Sequence, residues 1–544
     1  IYNGEIYNFE TIKKSLKDSG SHFRTNSDTE VILRAFEKYG EASFELFQGI
    51  YAFILLDLNS NSLFAVRDPL GVKPLYFSNQ DNEFFFSSEI RGLNPFLKRK
   101  EICEDDLFEF LNNHFISEPN TGFKNIKKVS PGTYMKITLL DKKVEHVSFK
   151  YSARNKSFGD FLIKESIKSQ EISDVKNVIY FSGGIDSSVI AASVEEDHLL
   201  HIEYSKNEIN DADTVASKSI ARKLNKNLQI IKFDKDIEMS DQEFIKSVDE
   251  TVNGIEELIC DYTYLASKQI SQEARKLGYK VALSGMGGDE IFVGYPRYKI
   301  SIFHKVRLFI LPFFLFFNFI KLDKYIFKRK FERFMEFLRE KNFLLAYSRL
   351  LGYLSSSEIR DFFEPGQYKK LQKKFESKLS VYEDNLKESY LSACLSIDRR
   401  GFLSRNLTVA DKSSMSESIE LRVPLLDLEI INVSKILRKN NLMDYFLPKF
   451  RLEEYLLNYL NKYEFKRRKV GFNPPLAGYI NNIDRETYDS CISILESVLK
   501  GMDKKMTDKI YDDHTRKIKD NTYKIFQLIF LSRWINQIKS YNLE

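Results

Sequence analysis

The sequence predicts an α/β protein in two parts. A strand-rich unit covers residues 1–150, and a doubly wound parallel sheet with a large helical C-terminal part covers 158–544. Three observations predict this. Apolar alternation and short apolar runs fill the first unit, strand and helix patterns then alternate up to Leu283, and beyond about residue 300 the chain reads as helices rich in Lys, Phe and Leu.

In the first unit, residues 52–58, 62–66, 75–78, 84–88 and 134–139 read as strands, separated by Asn, Asp and Gly turns. Residues 29–39 read as a helix, with Val31, Ile32, Ala35 and Phe36 at helical spacing. The polar stretch 152–158 marks the boundary. After it, residues 175–181, 200–204, 228–233 and 281–283 read as strands, and 189–194, 213–224 and 261–277 as helices. That alternation argues for a parallel sheet covered on both faces. No internal repeat or low-complexity linker interrupts it.

A chain of 544 residues can bury two or more cores. Lys and Arg number 82 against 77 Asp and Glu, a net charge of +5, so there is no electrostatic case for nucleic acid. Cys103, Cys260, Cys394 and Cys491 lie far apart without ligand spacing, and read as buried reduced thiols of a cytoplasmic protein. The run 308–320 is almost wholly apolar but shorter than the roughly 20 residues a membrane span needs. Pro312 and Asn318 interrupt it, and Lys305, Arg307, Lys321 and Lys324 flank it. It is expected to be a buried helix pair, with docking on a membrane surface or partner as the alternative.

Two glycine loops carry the chemistry. Ser182-Gly183-Gly184-Ile185-Asp186-Ser187-Ser188 joins a strand to a helix. A strand that turns through two glycines into a helix N-terminus offers backbone N–H groups to an anion, and Ser182, Ser187 and Ser188 can add hydroxyl donors. The phosphate loop of kinases and GTPases is excluded, because it needs a Lys after its last Gly and a longer spacing. Ser284-Gly285-Met286-Gly287-Gly288-Asp289-Glu290 follows the strand 281–283 in the same manner. Two such loops suit one nucleotide site at the carboxyl edge of a parallel sheet. Asp186 and Asp289 are suitable hard ligands for Mg²⁺ on a polyphosphate.

The first loop resembles the pyrophosphate loop of ATP-pyrophosphatases, which split ATP between the α and β phosphates. Further motifs are Asp411-Lys412-Ser413-Ser414-Met415, then 420–427 (Glu-Leu-Arg-Val-Pro-Leu-Leu-Asp), and Arg468-Lys469-Val470-Gly471-Phe472 ahead of Pro474-Pro475. Together they resemble the synthetase half of the glutamine-dependent asparagine synthetase family. Asn3-Gly4-Glu5-Ile6-Tyr7-Asn8, the stretch 67–76 (Arg-Asp-Pro-Leu-Gly-Val-Lys-Pro-Leu-Tyr) and Ser87-Ser88-Glu89-Ile90 resemble that family's glutaminase domain, in the family's order. The resemblance implies an N-terminal αββα sandwich of the Ntn type and an ATP-pyrophosphatase domain using ATP and Mg²⁺. Its partners would be small molecules: ATP, aspartate or another carboxylate, and glutamine or ammonia, with a homodimer left open.

By the same resemblance, Ser182, Gly183, Gly184, Asp186, Ser187, Ser188, Ser284 and Gly285 bind ATP and pyrophosphate, and Asp186 and Asp289 hold the metal. Lys412 and Lys469 are the expected catalytic residues, stabilising charge on phosphate and acyl oxygens. For glutamine, Asn3 and Gly4 form the oxyanion hole, Glu5 belongs to the same site, and Asp28 holds the amino group. The family's glutaminase nucleophile is an N-terminal cysteine. This sequence begins at Ile1 and its first cysteine is Cys103. The nucleophile and a glutamine-binding arginine are therefore expected upstream. The 544 residues are not expected to hydrolyse glutamine, whereas the complete protein is.

One departure concerns Met286, where the family usually has an acidic residue thought to serve the substrate or the attacking ammonia. Methionine cannot accept a proton or bind an ammonium ion, and Glu290 is the closest candidate replacement. The acceptor thus stays open between aspartate and another carboxylate, such as a sugar acid of surface polysaccharides. Cyclases of the β-lactam and lasso-peptide type are a weaker alternative, since they generally lack the signature kept at Asn3, Gly4 and Glu5. An inactive scaffold is the non-enzymatic alternative, and the retained Asp186, Asp289, Lys412 and Lys469 argue against it.

Overall fold

The structure, a computed structural model, describes residues 1–149, 159–195, 198–204, 208–233, 239–317, 325–440, 447, 449–465, 474 and 476–543. The first unit holds strands β1 (Tyr2–Ile6), β2 (Gly49–Asp57), β3 (Ser62–Arg67), β4 (Tyr76–Gln80), β5 (Glu83–Ser87), β6 (Lys127–Lys128), β7 (Thr133–Thr138) and β8 (Val144–Ser148). They form two antiparallel sheets, ordered β1-β2-β3-β7-β8 and β5-β4-β6. Side chains alternate across β2 with the period of a sheet buried on both faces. Tyr51, Phe53 and Leu55 pack with Ile12, Leu16, Val31 and Ile32 of the helices Phe9–Asp18 and Asp28–Tyr39. Ala52 turns the other way, into a layer with Ala65, Leu75, Val129 and Met135. Ser27 caps the second helix by accepting from the Thr29 N–H.

The second unit is built on β9 (Asn177–Tyr180), β10 (His198–Glu203), β11 (Asn227–Lys232), β12 (Val281–Ser284) and β13 (Glu420–Arg422). All five are parallel, in the order β11-β10-β9-β12-β13. Val178 and Ala282 face one side with Ile270, Ala274 and Leu421. Ile179 and Leu283 face the other with Val189, Ile190 and Leu425. The strand order reverses between β9 and β12, so the loops leaving those two strands lie side by side at the carboxyl edge. A large helical core, running from Tyr76 through Phe343 and Tyr347 to Trp534, covers the rest.

Three expectations need correction. The part beyond residue 300 is not helical throughout: β13 pairs with β12, three residues too short to show a strand period. Cys103 is only half-buried, because it caps the start of the helix Glu104–Asn113 at the surface, whereas Cys260, Cys394 and Cys491 are buried. The described start of the apolar run is not buried. It forms the helix Arg307–Phe317, with Leu308 and Phe309 exposed, because the helix Tyr325–Arg339 and its neighbours cover only part of it. The boundary stretch 152–158 lies outside the described residues.

Candidate active site

The 182–188 loop turns at Gly183, whose φ of 66° lies in the left-handed region that disfavours side chains. A Cβ there would also come within 2.7 Å of the Ser217 hydroxyl. The helix Ile185–Ser193 then starts without a side-chain cap, leaving its first-turn N–H groups for an anion. Ser187 braces the turn: its hydroxyl accepts from the Ser182 N–H at 3.2 Å and donates to the Gly184 carbonyl at 3.2 Å. The 284–290 loop packs directly against it. A Cβ on Gly285 would lie 2.6 Å from the Ser187 nitrogen, and one on Gly288 would lie 2.5 Å from Asp186 Oδ1.

Where the loops meet, Lys449 Nζ lies 2.6 Å from Asp186 Oδ2 and 2.6 Å from Asp289 Oδ1. Burial pulls the Lys449 ammonium down, but the two carboxylates outweigh it and hold the group above the ordinary lysine range. Asp186 Oδ1 and the Ser188 hydroxyl are buried without a partner among the described residues. A buried carboxylate oxygen left unpaired is costly, and this one is available to a cation. Among the described residues no group of three or more His, Cys, Asp or Glu could hold a metal unaided. The two carboxylates fit a Mg²⁺ that takes its remaining ligands from phosphate and water.

These loops open into a cleft of about 440 Å³, whose walls include Ser182, Met286, Glu290, Arg405 and Ser413. Burial, and then Asp289, push the Glu290 carboxyl up to about 7, and the Tyr295 hydroxyl donates to it at 3.0 Å. Arg405 forms a buried ion pair with Asp261 on the cleft wall.

The residues expected for glutamine also come together. Asn3, Gly4 and Glu5 lie on β1, and Asp28 starts the adjacent helix. Asp28 Oδ2 accepts from the Tyr2 hydroxyl at 2.5 Å and from the Ile6 N–H at 3.1 Å. Gly4 cannot be replaced without strain, since a Cβ would sit 2.0 Å from the Ile50 carbonyl oxygen. Burial and then Asp28 push the Glu5 carboxyl up to about 7, against the pull of Arg422, whose guanidinium lies 3.6 Å away. This Arg422–Glu5 pair brings the last strand of the parallel sheet to the first strand of the sandwich, and Arg422 is anchored in its own unit by donating to the Gln170 and Ile172 carbonyls.

Residues 1–150 match the glutamine amidotransferase domain, and residues 160–536 match asparagine synthase. The chain belongs to the asparagine synthase family. It is 26% identical over 568 residues to glutamine-hydrolysing asparagine synthetase 1 of Bacillus subtilis, covering 99% of this chain and 86% of that protein. Asparagine synthetase 3 of the same organism is 30% identical over 55% of this chain and 52% of its own length. The enzyme of Sandersonia aurantiaca is 32% identical over 54% and 53%, so the chain spans about half the length of these two relatives.

Within this asparagine synthase fold, Lys412 does not occupy its expected place. The helix Ser404–Met415 turns Arg405, Val409 and Ser413 toward the cleft, at four-residue spacing. Thr408, Asp411 and Lys412 fall on the opposite side, against the first unit. There Lys412 pairs with buried Glu256, which also accepts from the N–H groups of Ile90 and Arg91. Lys73 pairs with Asp411 at 2.9 Å, and Lys128 bonds the Thr408 hydroxyl at 3.0 Å. The helix is thus a shared wall, with one side to the cleft and one to the amidotransferase unit. Lys412→Met is expected to lower stability by about 3 kcal/mol, because Glu256 loses its buried cation and keeps only the largely exposed Arg91 guanidinium, 3.1 Å away. Urea unfolding checks this, and pyrophosphate exchange by the folded fraction is expected to stay within a few-fold of wild type.

Lys469 lies outside the described residues. Sequence reasoning missed Lys449, which no motif marks. Its backbone adopts a left-handed φ of 59° ahead of the helix Phe450–Leu456, and its N–H donates to the Phe292 carbonyl. It missed the Arg405–Asp261 pair too, because those residues are brought together only by packing of the helix Ser404–Met415 against the turn that precedes the helix Tyr264–Lys276.

Proposed function

We propose that this member of the asparagine synthase family makes an amide from a carboxylate by adenylation. The acceptor carboxylate attacks the α-phosphorus of ATP, the bond to the bridging oxygen breaks, and pyrophosphate leaves with the electron pair. Ammonia then attacks the acyl carbon and expels AMP. With aspartate as acceptor, the intermediate is β-aspartyl-AMP and the product asparagine. The observation that carries this is the meeting of two glycine loops at the sheet's reversal, where Lys449 lies 2.6 Å from both Asp186 and Asp289, two carboxylates that line one cleft.

In this reading the 182–188 loop and the uncapped helix bind pyrophosphate, and Ser284 and Gly285 close the opposite side. Asp186 and Asp289 hold Mg²⁺, which neutralises phosphate charge when bound. Lys449 is the cation that keeps the two carboxylates together before ATP arrives. Asn3, Gly4, Glu5 and Asp28 serve the glutamine that supplies ammonia. Pyrophosphate exchange into ATP, measured with aspartate and with a uronic acid, tests the reading. Acceptor-dependent exchange is expected, and its absence with every carboxylate would overturn adenylation.

Met286 favours a second acceptor, a sugar acid. Met286 lies on the cleft wall, where it offers neither charge nor a proton acceptor, and Glu290 lines the same cleft. Met286→Glu is expected to speed aspartate amidation about tenfold or more by supplying a positioned base. The measurement is AMP released per asparagine formed at saturating ammonia. Fully coupled asparagine synthesis by the Met286 protein, without gain from Glu, would assign aspartate as the acceptor.

A further inference from the structure

Ile302, Phe303 and Val306 are exposed just before the helix Arg307–Phe317, and on its first turn Leu308 is 74% and Phe309 85% exposed. Contiguous apolar exposure of this kind marks a contact surface. The described helix has 11 residues, so it is about 16 Å long against a hydrocarbon core of about 30 Å. Among the described residues no helix is long and apolar enough to cross a membrane.

Charge identifies the occupant. From Lys305 to Lys330 the sequence has seven Lys or Arg and one acid, Asp323, an excess of six in a chain whose whole net charge is +5. The basic residues flank the apolar ones rather than interrupting them: Lys305 and Arg307 stand before the run, Lys321 and Lys324 after it, and Lys328, Arg329 and Lys330 follow. Short aromatic and aliphatic groups beside Lys and Arg suit the boundary between phosphate headgroups and acyl chains. A second copy of the chain is disfavoured, because it would bring the same basic residues face to face.

We propose that the face carrying Ile302, Phe303, Val306, Leu308 and Phe309 docks on an anionic phospholipid surface, with Lys305 and Arg307 against the phosphates. In this proposal the described helix rests on the membrane surface. The inference stands apart from the proposed reaction, since none of these residues lines the nucleotide cleft.

Flotation of the full chain with vesicles tests it, comparing phosphatidylcholine alone with phosphatidylcholine carrying about a third phosphatidylglycerol. Binding to the anionic vesicles is expected to be at least about tenfold stronger, at about 1 kcal/mol for each basic residue near the surface. Leu308→Glu with Phe309→Glu is expected to abolish binding, and Lys305→Glu with Arg307→Glu to remove the preference for anionic lipid. All four side chains are on or near the surface, so the unfolding midpoint is the control for folding. No binding, equal binding to both vesicle types, or wild-type binding by the Leu308/Phe309 variant would overturn the proposal. So would a homo-oligomer that this variant breaks without any vesicle binding by wild type.

Discussion

Asp186→Ala is expected to lower acceptor-dependent AMP release by at least about 10³-fold with the fold intact. The carboxylate does two things at one place. Its Oδ2 accepts from Lys449 at 2.6 Å, while Oδ1 is buried without a partner among the described residues. An unpaired buried oxygen costs about 1–3 kcal/mol, a cost the protein carries until a cation arrives. Removing it relieves that cost, and Asp289 still neutralises Lys449. The unfolding midpoint is therefore expected to stay within about 4 °C of wild type. AMP release by single-turnover assay and thermal unfolding measured on the same sample separate function from stability. Wild-type AMP release from the variant would remove Asp186 from the nucleotide site.

The parts of this site that are legible in the sequence are those written in one continuous segment. The strand, the glycine turn with its positive φ at Gly183 and the helix from Ile185 are local consequences of local residues, so 182–188 announces its own geometry. The same holds for 284–290, and the alternation of strands with helices gives the parallel sheet. Lys412 shows where motif reasoning stops. It sits next to Ser413, which faces the cleft, but helical phase turns its side chain about 100° from Ser413 and onto Glu256. Lys449 shows the converse: a residue without a motif reaches the centre of the site by tertiary packing. The apolar run fails for a third reason. Hydropathy measures what a side chain prefers, and whether Leu308 and Phe309 are covered depends on neighbours far along the chain.

Lys449→Met is expected to be the second severe lesion, and it separates the roles of the ammonium and the metal. The residue is anchored by its backbone N–H, which donates to the Phe292 carbonyl, and its side chain packs closely on Gly294, where a Cβ would lie 2.5 Å from Lys449 Cε. Its Nζ reaches both carboxylates at 2.6 Å. Methionine keeps the volume and removes the charge, leaving buried Asp186 and partly buried Asp289 facing each other without a cation. Breaking a buried pair from one side costs about 3–5 kcal/mol, so the metal-free variant is expected to melt well below wild type. Added Mg²⁺ then meets two carboxylates with no ammonium competing for them. It is expected to raise the melting midpoint of the variant more than that of wild type, because ligand binding to the native state adds stability by mass action. Pyrophosphate exchange is expected to fall by about 10²–10³-fold even with Mg²⁺ restored, since the phosphates lose a fixed positive partner. Equal Mg²⁺ shifts in the two proteins would show that Asp186 and Asp289 do not hold the metal. Wild-type exchange by Lys449→Met would show that the ammonium only stabilises the empty site.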